Sequence, residues 1–141
     1  MQITRQADYA VRAVLYLAKI GPETRAATSQ IAQEQQIPPS FLAKIVSQLS
    51  VAGLLQTSRG ARGGVSLARS PEQISLLEVV EAIDGPILLN DCVAANGVCA
   101  FGDDCPMNPI WCEAQSELVT RLKTTTFDSF IKGEKNKPVA A

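Results

Sequence analysis

The sequence predicts a mainly α-helical fold carrying one small β-hairpin. Apolar residues recur at three- and four-residue spacing through most of the chain, and proline or glycine punctuates those stretches at short intervals. Between them, LLQTSRGARGGVSLARS replaces the helical period with two short apolar runs around a glycine-rich turn. With 141 residues, 46% of them hydrophobic and 19% charged, the chain can bury a single core.

Each element has its own signals. Thr4 caps a first helix whose Ala7, Ala10, Val11, Val14, Leu15 and Ala18 form one apolar face, and Gly21-Pro22 ends it. A second helix begins near Thr28 or Ser29 and stops before Ile37-Pro38-Pro39. The third opens at Pro39 or Ser40, because proline is tolerated in a first turn, and runs through FLAKIVSQLSVA to Gly53. Two short helices about a tight turn predict a helix-turn-helix. Leu54-Leu55 and Val65 to Leu67 then flank Arg59-Gly60-Ala61-Arg62-Gly63-Gly64, a hairpin with a basic tip, which in this position is the wing of a winged helix. Ser75 and Glu78 predict a capping box, with Ile74 and Val79 as its hydrophobic staple, for a helix that Gly85-Pro86 ends. Pro109 opens a longer helix with Ile110, Ala114, Leu118 and Leu122 in one stripe, and a short helix follows around Phe127, Phe130 and Ile131. The tail GEKNKPVAA is expected to be disordered.

Charge divides the chain. Residues 1–70 carry eight Lys/Arg against three Asp/Glu, net +5, and residues 71–141 carry five against eleven, net −6. Only the first half can approach a polyanion. On the third helix Ser40, Phe41, Lys44, Ser47 and Gln48 are the outward candidates for reading a major groove, and Arg59 and Arg62 can grip phosphates or enter a minor groove. Helix-turn-helix, basic wing and positive half together predict binding to double-stranded DNA. The charges at Arg5, Asp8, Arg12 and Lys19 interrupt the N-terminal stretch, so neither signal peptide nor membrane span is expected, and the cytoplasm is.

All four cysteines, Cys92, Cys99, Cys105 and Cys112, fall within 21 residues, with gaps of six, five and six. In a reducing compartment such a group binds metal or senses redox state more readily than it forms structural disulfides. No C-x-x-C pair is present, which argues against a zinc finger. Wide gaps filled with small residues suit a larger iron-sulfur cluster, with zinc or plain redox-active thiols as the alternatives.

The chain resembles the IscR/NsrR-type (Rrf-two) family of bacterial winged-helix regulators. The resemblance rests on ADYAVRAVLYLA, QIPPSFLAKIVSQLSVAGLL, SRGARGGVSLARSPEQISLLEVVEAIDGPI and the C-x6-C-x5-C-P pattern with Trp111 six residues beyond Cys105. It implies that Cys92, Cys99 and Cys105 ligate a two-iron or four-iron cluster, that Ser40 and Lys44 lie on the DNA-reading helix, and that Arg59 enters the minor groove. One branch takes a histidine as fourth ligand where this chain has Asn108, and the chain has no histidine. Cys112, one turn further, and Asp8, supplied from the partner subunit in a second branch, are the two substitutes. Cys112 ranks slightly ahead of Asp8; apart from these roles, Cys112 reads as a buried small apolar residue at the shoulder of the helix stripe and Asp8 as a surface or capping residue. Ala43 stands where some relatives carry a glutamate that alters site preference.

The organisation expected is therefore a winged helix-turn-helix DNA-binding domain over 1–86, a cysteine-rich cluster-binding loop over 87–107, a dimerisation helix and C-terminal helix over 108–132, and a disordered tail over 133–141. The function expected is a homodimeric repressor on a pseudo-palindromic operator, answering to iron-sulfur status, redox stress or nitric oxide. The alternative is a zinc-stabilised or thiol-redox winged-helix repressor without a cluster. With no histidine, no nucleophile elbow and no phosphate loop, an enzyme is not expected.

Overall fold

Thr4 begins the first helix, α1 (Arg5–Ile20), in the manner its side chain dictates: Oγ1 accepts the Ala7 N–H at 3.1 Å. The computed structural model describes residues 2–61, 63–93 and 105–132. Asp84, 80 residues later, takes both the backbone N–H of Thr4 at 3.2 Å and its hydroxyl at 2.5 Å. A carboxylate here also meets the positive end of the helix dipole. Thr4→Ala is expected to lower unfolding free energy by about 1 kcal/mol in urea titrations, with Thr4→Ser recovering most of it.

Four of the six buried residues of α1 are alanines, Ala7, Ala10, Ala13 and Ala18, so neighbouring helices can approach closely. Val11 and Leu15 sit half-buried at the rim of that face. Packed around it are α2 (Thr28–Gln35), α3 (Pro39–Val51) and α4 (Leu76–Asp84). Gln36 ends α2 in the left-handed conformation, φ 54°, and the buried Ile37 carries the chain into α3. No side chain caps α2, whose N-cap is Ala27.

The hairpin pairs β1 (Leu55–Ser58) antiparallel with β2 (Gly64–Leu67), Leu55 opposite Leu67 and Ser58 opposite Gly64. Ala26 joins its edge: its N–H donates to the Val65 carbonyl at 2.9 Å, and its carbonyl accepts the Val65 N–H at 2.8 Å. That close approach requires glycine next door, since a Cβ at Gly64 would lie 2.8 Å from the Ala26 carbonyl oxygen.

The capping box of α4 is only half formed. Ser75 Oγ accepts the Glu78 N–H at 3.1 Å, but the Glu78 carboxylate turns to the Arg69 guanidinium rather than back to Ser75. An ion pair outcompetes a neutral donor for a carboxylate. The expected staple is present, with Ile74 and Val79 both fully buried.

A 3-10 turn over Asp91–Val93 leads towards the last part of the chain. There α5 (Asn108–Thr124) runs into α6 (Asp128–Lys132). Between these helices the chain returns to the head: Leu76 N–H donates to the Thr125 carbonyl at 2.8 Å and Phe127 N–H to the Ile74 carbonyl at 3.1 Å. Phe127 thereby enters the main core among residues of α1 to α4 and the hairpin. A second, smaller cluster of Ala7, Leu77, Val80 and Ile87 receives Leu118, Val119 and Leu122 of α5. The tail expectation, residues 133–141, lies outside the described residues. Among the described residues no helix is long and apolar enough to cross a membrane.

Candidate functional site

One face of α3 is core and the other is free. Leu42, Ile45, Val46 and Leu49 are buried, so the helical period leaves Ser40, Phe41, Ala43, Lys44 and Ser47 exposed. Neither Lys44 nor Arg59 forms an ion pair with a described residue. Gln48 departs from the expectation of an outward side chain: it is half-buried, and its Oε1 is shielded from solvent without a hydrogen-bond partner.

Phe41 is 42% exposed yet not loose. Its ring rests against Tyr9 of α1 with centroids 6.2 Å apart and planes at 52°. This aromatic contact fixes the first turn of α3, and no local sequence signal announces it, because the partners are 32 residues apart.

Beyond β1, the wing carries Arg59 on an exposed backbone, while Arg62 lies outside the described residues. A Cβ at Gly63 would fall 2.3 Å from the Ser58 carbonyl oxygen, so the turn closes only around glycine. The result is a tight turn carrying the exposed Arg59 on a hairpin that follows a helix-turn-helix, the arrangement of a winged helix.

The thiols sit at the other end of the chain. Cys92 is half-buried in the 3-10 turn packed on α5, and Cys105 is half-buried where its carbonyl accepts the Asn108 N–H at 3.1 Å, starting α5. Cys112 is exposed, which removes its reading as a buried apolar residue, and its Sγ lies 3.7 Å from Asn108 Oδ1 on the same face. These three are free thiols. Cys99 lies outside the described residues. Among the described residues no three Cys, Asp, Glu or His side chains stand close enough together to hold a metal ion. The donor chemistry nevertheless fits an iron-sulfur group, because every cysteine offers soft sulfur and two of them flank the base of one helix. Asp8 lies in the first turn of α1 and pairs with Arg12 at 3.0 Å, both side chains about half exposed.

No residue of α5 is fully buried within the chain. Leu118 and Leu122 turn to the second core cluster, whereas Met107, Ile110 and Trp111 are exposed, Ile110 to 53%. Gln115 makes the connection that sequence reading missed: its Nε2 donates to the Ile87 carbonyl at 2.5 Å and its Oε1 accepts the Leu89 N–H at 2.9 Å.

Residues 3–133 match the Rrf2 family model, described as an iron-dependent transcriptional regulator. The chain is 29% identical over 135 residues to the HTH-type transcriptional regulator NsrR of Shouchella clausii, covering 95% of this chain and 91% of that one. It is also 29% identical over 140 residues to the HTH-type transcriptional regulator IscR of Xenorhabdus nematophila, covering 99% and 85%. Among solved structures, CymR, the global cysteine regulator of B. subtilis, superposes with a TM-score of 0.78 at 26% identity, covering 94% of this chain and 97% of that one.

Proposed function

Because this chain belongs to the Rrf2 family of transcriptional regulators, we propose that it is a dimeric repressor whose hold on a pseudo-palindromic operator answers to an iron-sulfur group. It is a DNA-binding transcriptional regulator and not an enzyme. On our reading Ser40, Phe41, Lys44 and Ser47 face the major groove, Arg59 and Arg62 of the wing follow the minor groove and its phosphates, and the cytoplasm is where it acts. Cys92, Cys99 and Cys105 would hold the group, with Cys112 or Asp8 of the partner subunit completing the set. The family description names iron, and we propose iron rather than zinc.

When bound, the group supplies an inorganic centre sensitive to oxidants, nitric oxide and iron supply. One observation carries the link to DNA: Cys105 seats at the base of α5, and the 3-10 turn that holds Cys92 packs on the same helix. Thiolate ligation at that base ties the segment leaving α4 to the start of α5. The exposed Ile110 and Trp111 favour a second copy of the chain as the partner of α5. Two α5 helices packed on one another set the separation of two reading heads, which on a palindrome must match half-sites about 34 Å apart per turn of DNA.

The test compares anaerobically purified protein with the same protein treated with chelator. Iron analysis and visible absorption should report bound iron, and operator affinity should differ between the two forms by at least about five-fold, the lower edge of ordinary allosteric coupling. Equal affinity on every sequence tried ends the sensing reading, and a colourless, iron-free protein gives the thiol-redox reading its place. Arg59→Ala should weaken all DNA binding and make the log-log salt dependence shallower by about 0.9, the share of one neutralised phosphate.

A further inference from the structure

A primary amide carries the same donor and acceptor as a peptide unit, and Gln115 uses both against one stretch of backbone. Its Nε2 donates to the Ile87 carbonyl and its Oε1 accepts from the Leu89 N–H, at 2.5 and 2.9 Å. In an extended chain the carbonyl of one residue and the N–H of the residue two further point to the same side. The side chain therefore docks as a neighbouring strand would, and a shift of the segment by one residue would lose both bonds.

Position gives this clamp its meaning. Leu89 lies three residues before Cys92, and Gln115 lies three residues after Cys112, one turn along the same helix face. Ile87 is anchored in the second core cluster, where Leu118 and Leu122 of α5 also pack. The 3-10 turn that holds Cys92 itself packs on α5. We propose that Gln115 is a positioning residue for Cys92: its amide keeps the segment leaving α4 in register with α5, and so fixes where the Cys92 thiol stands relative to the helix bearing Cys112. The consequence for iron retention rests on the iron-sulfur reading above; the register itself does not.

The experiment uses the full chain with Gln115→Met, which keeps size and flexibility but neither hydrogen bond, and Gln115→Glu, which keeps the acceptor for Leu89 and sets a carboxylate against the Ile87 carbonyl. In reduced, metal-free protein, hydrogen exchange at the Leu89 amide should accelerate by about ten-fold or more in Gln115→Met, as for a locally opened segment. Iodoacetamide should alkylate Cys92 faster in that variant, with the rate at Cys112 unchanged. Gln115→Glu should preserve Leu89 protection better than Gln115→Met. In iron-loaded protein, chelator should strip Gln115→Met about ten-fold faster than the parent, the usual cost of losing an outer support of a metal ligand.

Unchanged Leu89 exchange and Cys92 alkylation in Gln115→Met would overturn the proposal whether or not the protein binds iron. A parent protein that holds no iron would sink the sensing reading and leave the register proposal standing on the metal-free measurements. Faster exchange with unchanged iron release would show that the clamp does not position the ligand.

Discussion

Phe127→Ala is expected to remove about 3–5 kcal/mol of unfolding free energy, the cost of emptying a fully buried phenylalanine site. The ring is wholly buried in the main core and meets Phe130 edge-on at 6.0 Å, while its N–H is held by the Ile74 carbonyl. A domain of this size holds about 5–15 kcal/mol in all, so the loss is about a fifth or more of the total. The check is the urea midpoint at fixed protomer concentration, because self-association shifts apparent stability by mass action. Ile131→Ala, four residues on and 36% exposed, serves as the control and should stay within about 0.5 kcal/mol. A loss below about 1 kcal/mol for Phe127→Ala would mean that the site collapses or that the ring is not buried in solution.

The functional weight of that residue lies in where it fastens the chain. Leu118 and Leu122 join α5 to the second cluster, and Phe127 pins the segment between α5 and α6 into the core that α3 also lines. The C-terminal end of α5 is thus bonded to the head, so on the dimeric reading proposed above a rotation of α5 against its partner would be passed to the head. Interfaces between packed elements shift between discrete arrangements rather than bending smoothly. On the dimeric, thiol-sensing reading proposed above, a small change at the thiol end of α5 would become a change in how the two α3 helices are spaced.

Local chemistry was readable from residues alone, and contacts over distance were not. Thr4, Pro39 and Gly53 mark helix ends because their effects act within one turn, and each stands where its chemistry predicts. Ser75 did as expected, but Glu78 answered to Arg69, a competitor nine residues away that the capping pattern does not include. Ala26 pairing with Val65, Phe127 entering the head's core and Gln115 bonding Ile87 and Leu89 all need the tertiary fold, since no periodicity connects such separations. The thiol site divides in the same way. Spacing and residue type disclose its chemistry, whereas convergence of the sulfurs depends on packing at the base of α5 and on Cys99, outside the described residues.

Cys105→Ala should abolish iron binding rather than weaken it. This thiol stands at the threshold of α5, where its own carbonyl accepts the Asn108 N–H and begins the helix turn. The variant should purify anaerobically without the charge-transfer absorption of a thiolate-bound cluster. Its operator affinity should equal that of the chelator-treated parent and no longer respond to iron. Its fold should survive, because Cys105 belongs to neither core cluster. Two further variants identify the fourth ligand. Breaking the exposed pair of Asp8 with Arg12 at 3.0 Å costs well under about 1 kcal/mol, so that pair alone does not withhold Asp8 from a partner's site. Cys112 is held no more tightly: it is an exposed thiol in no disulfide, one turn beyond Asn108, whose Oδ1 accepts a long S–H hydrogen bond from it at 3.7 Å. Cys112→Ala should therefore shed iron to a chelator at least about ten-fold faster than the parent, with Asp8→Ala close to it, since loss of a ligand costs no less than loss of its outer support. The reverse order would assign the position to Asp8 of the partner subunit and make the site a property of the dimer.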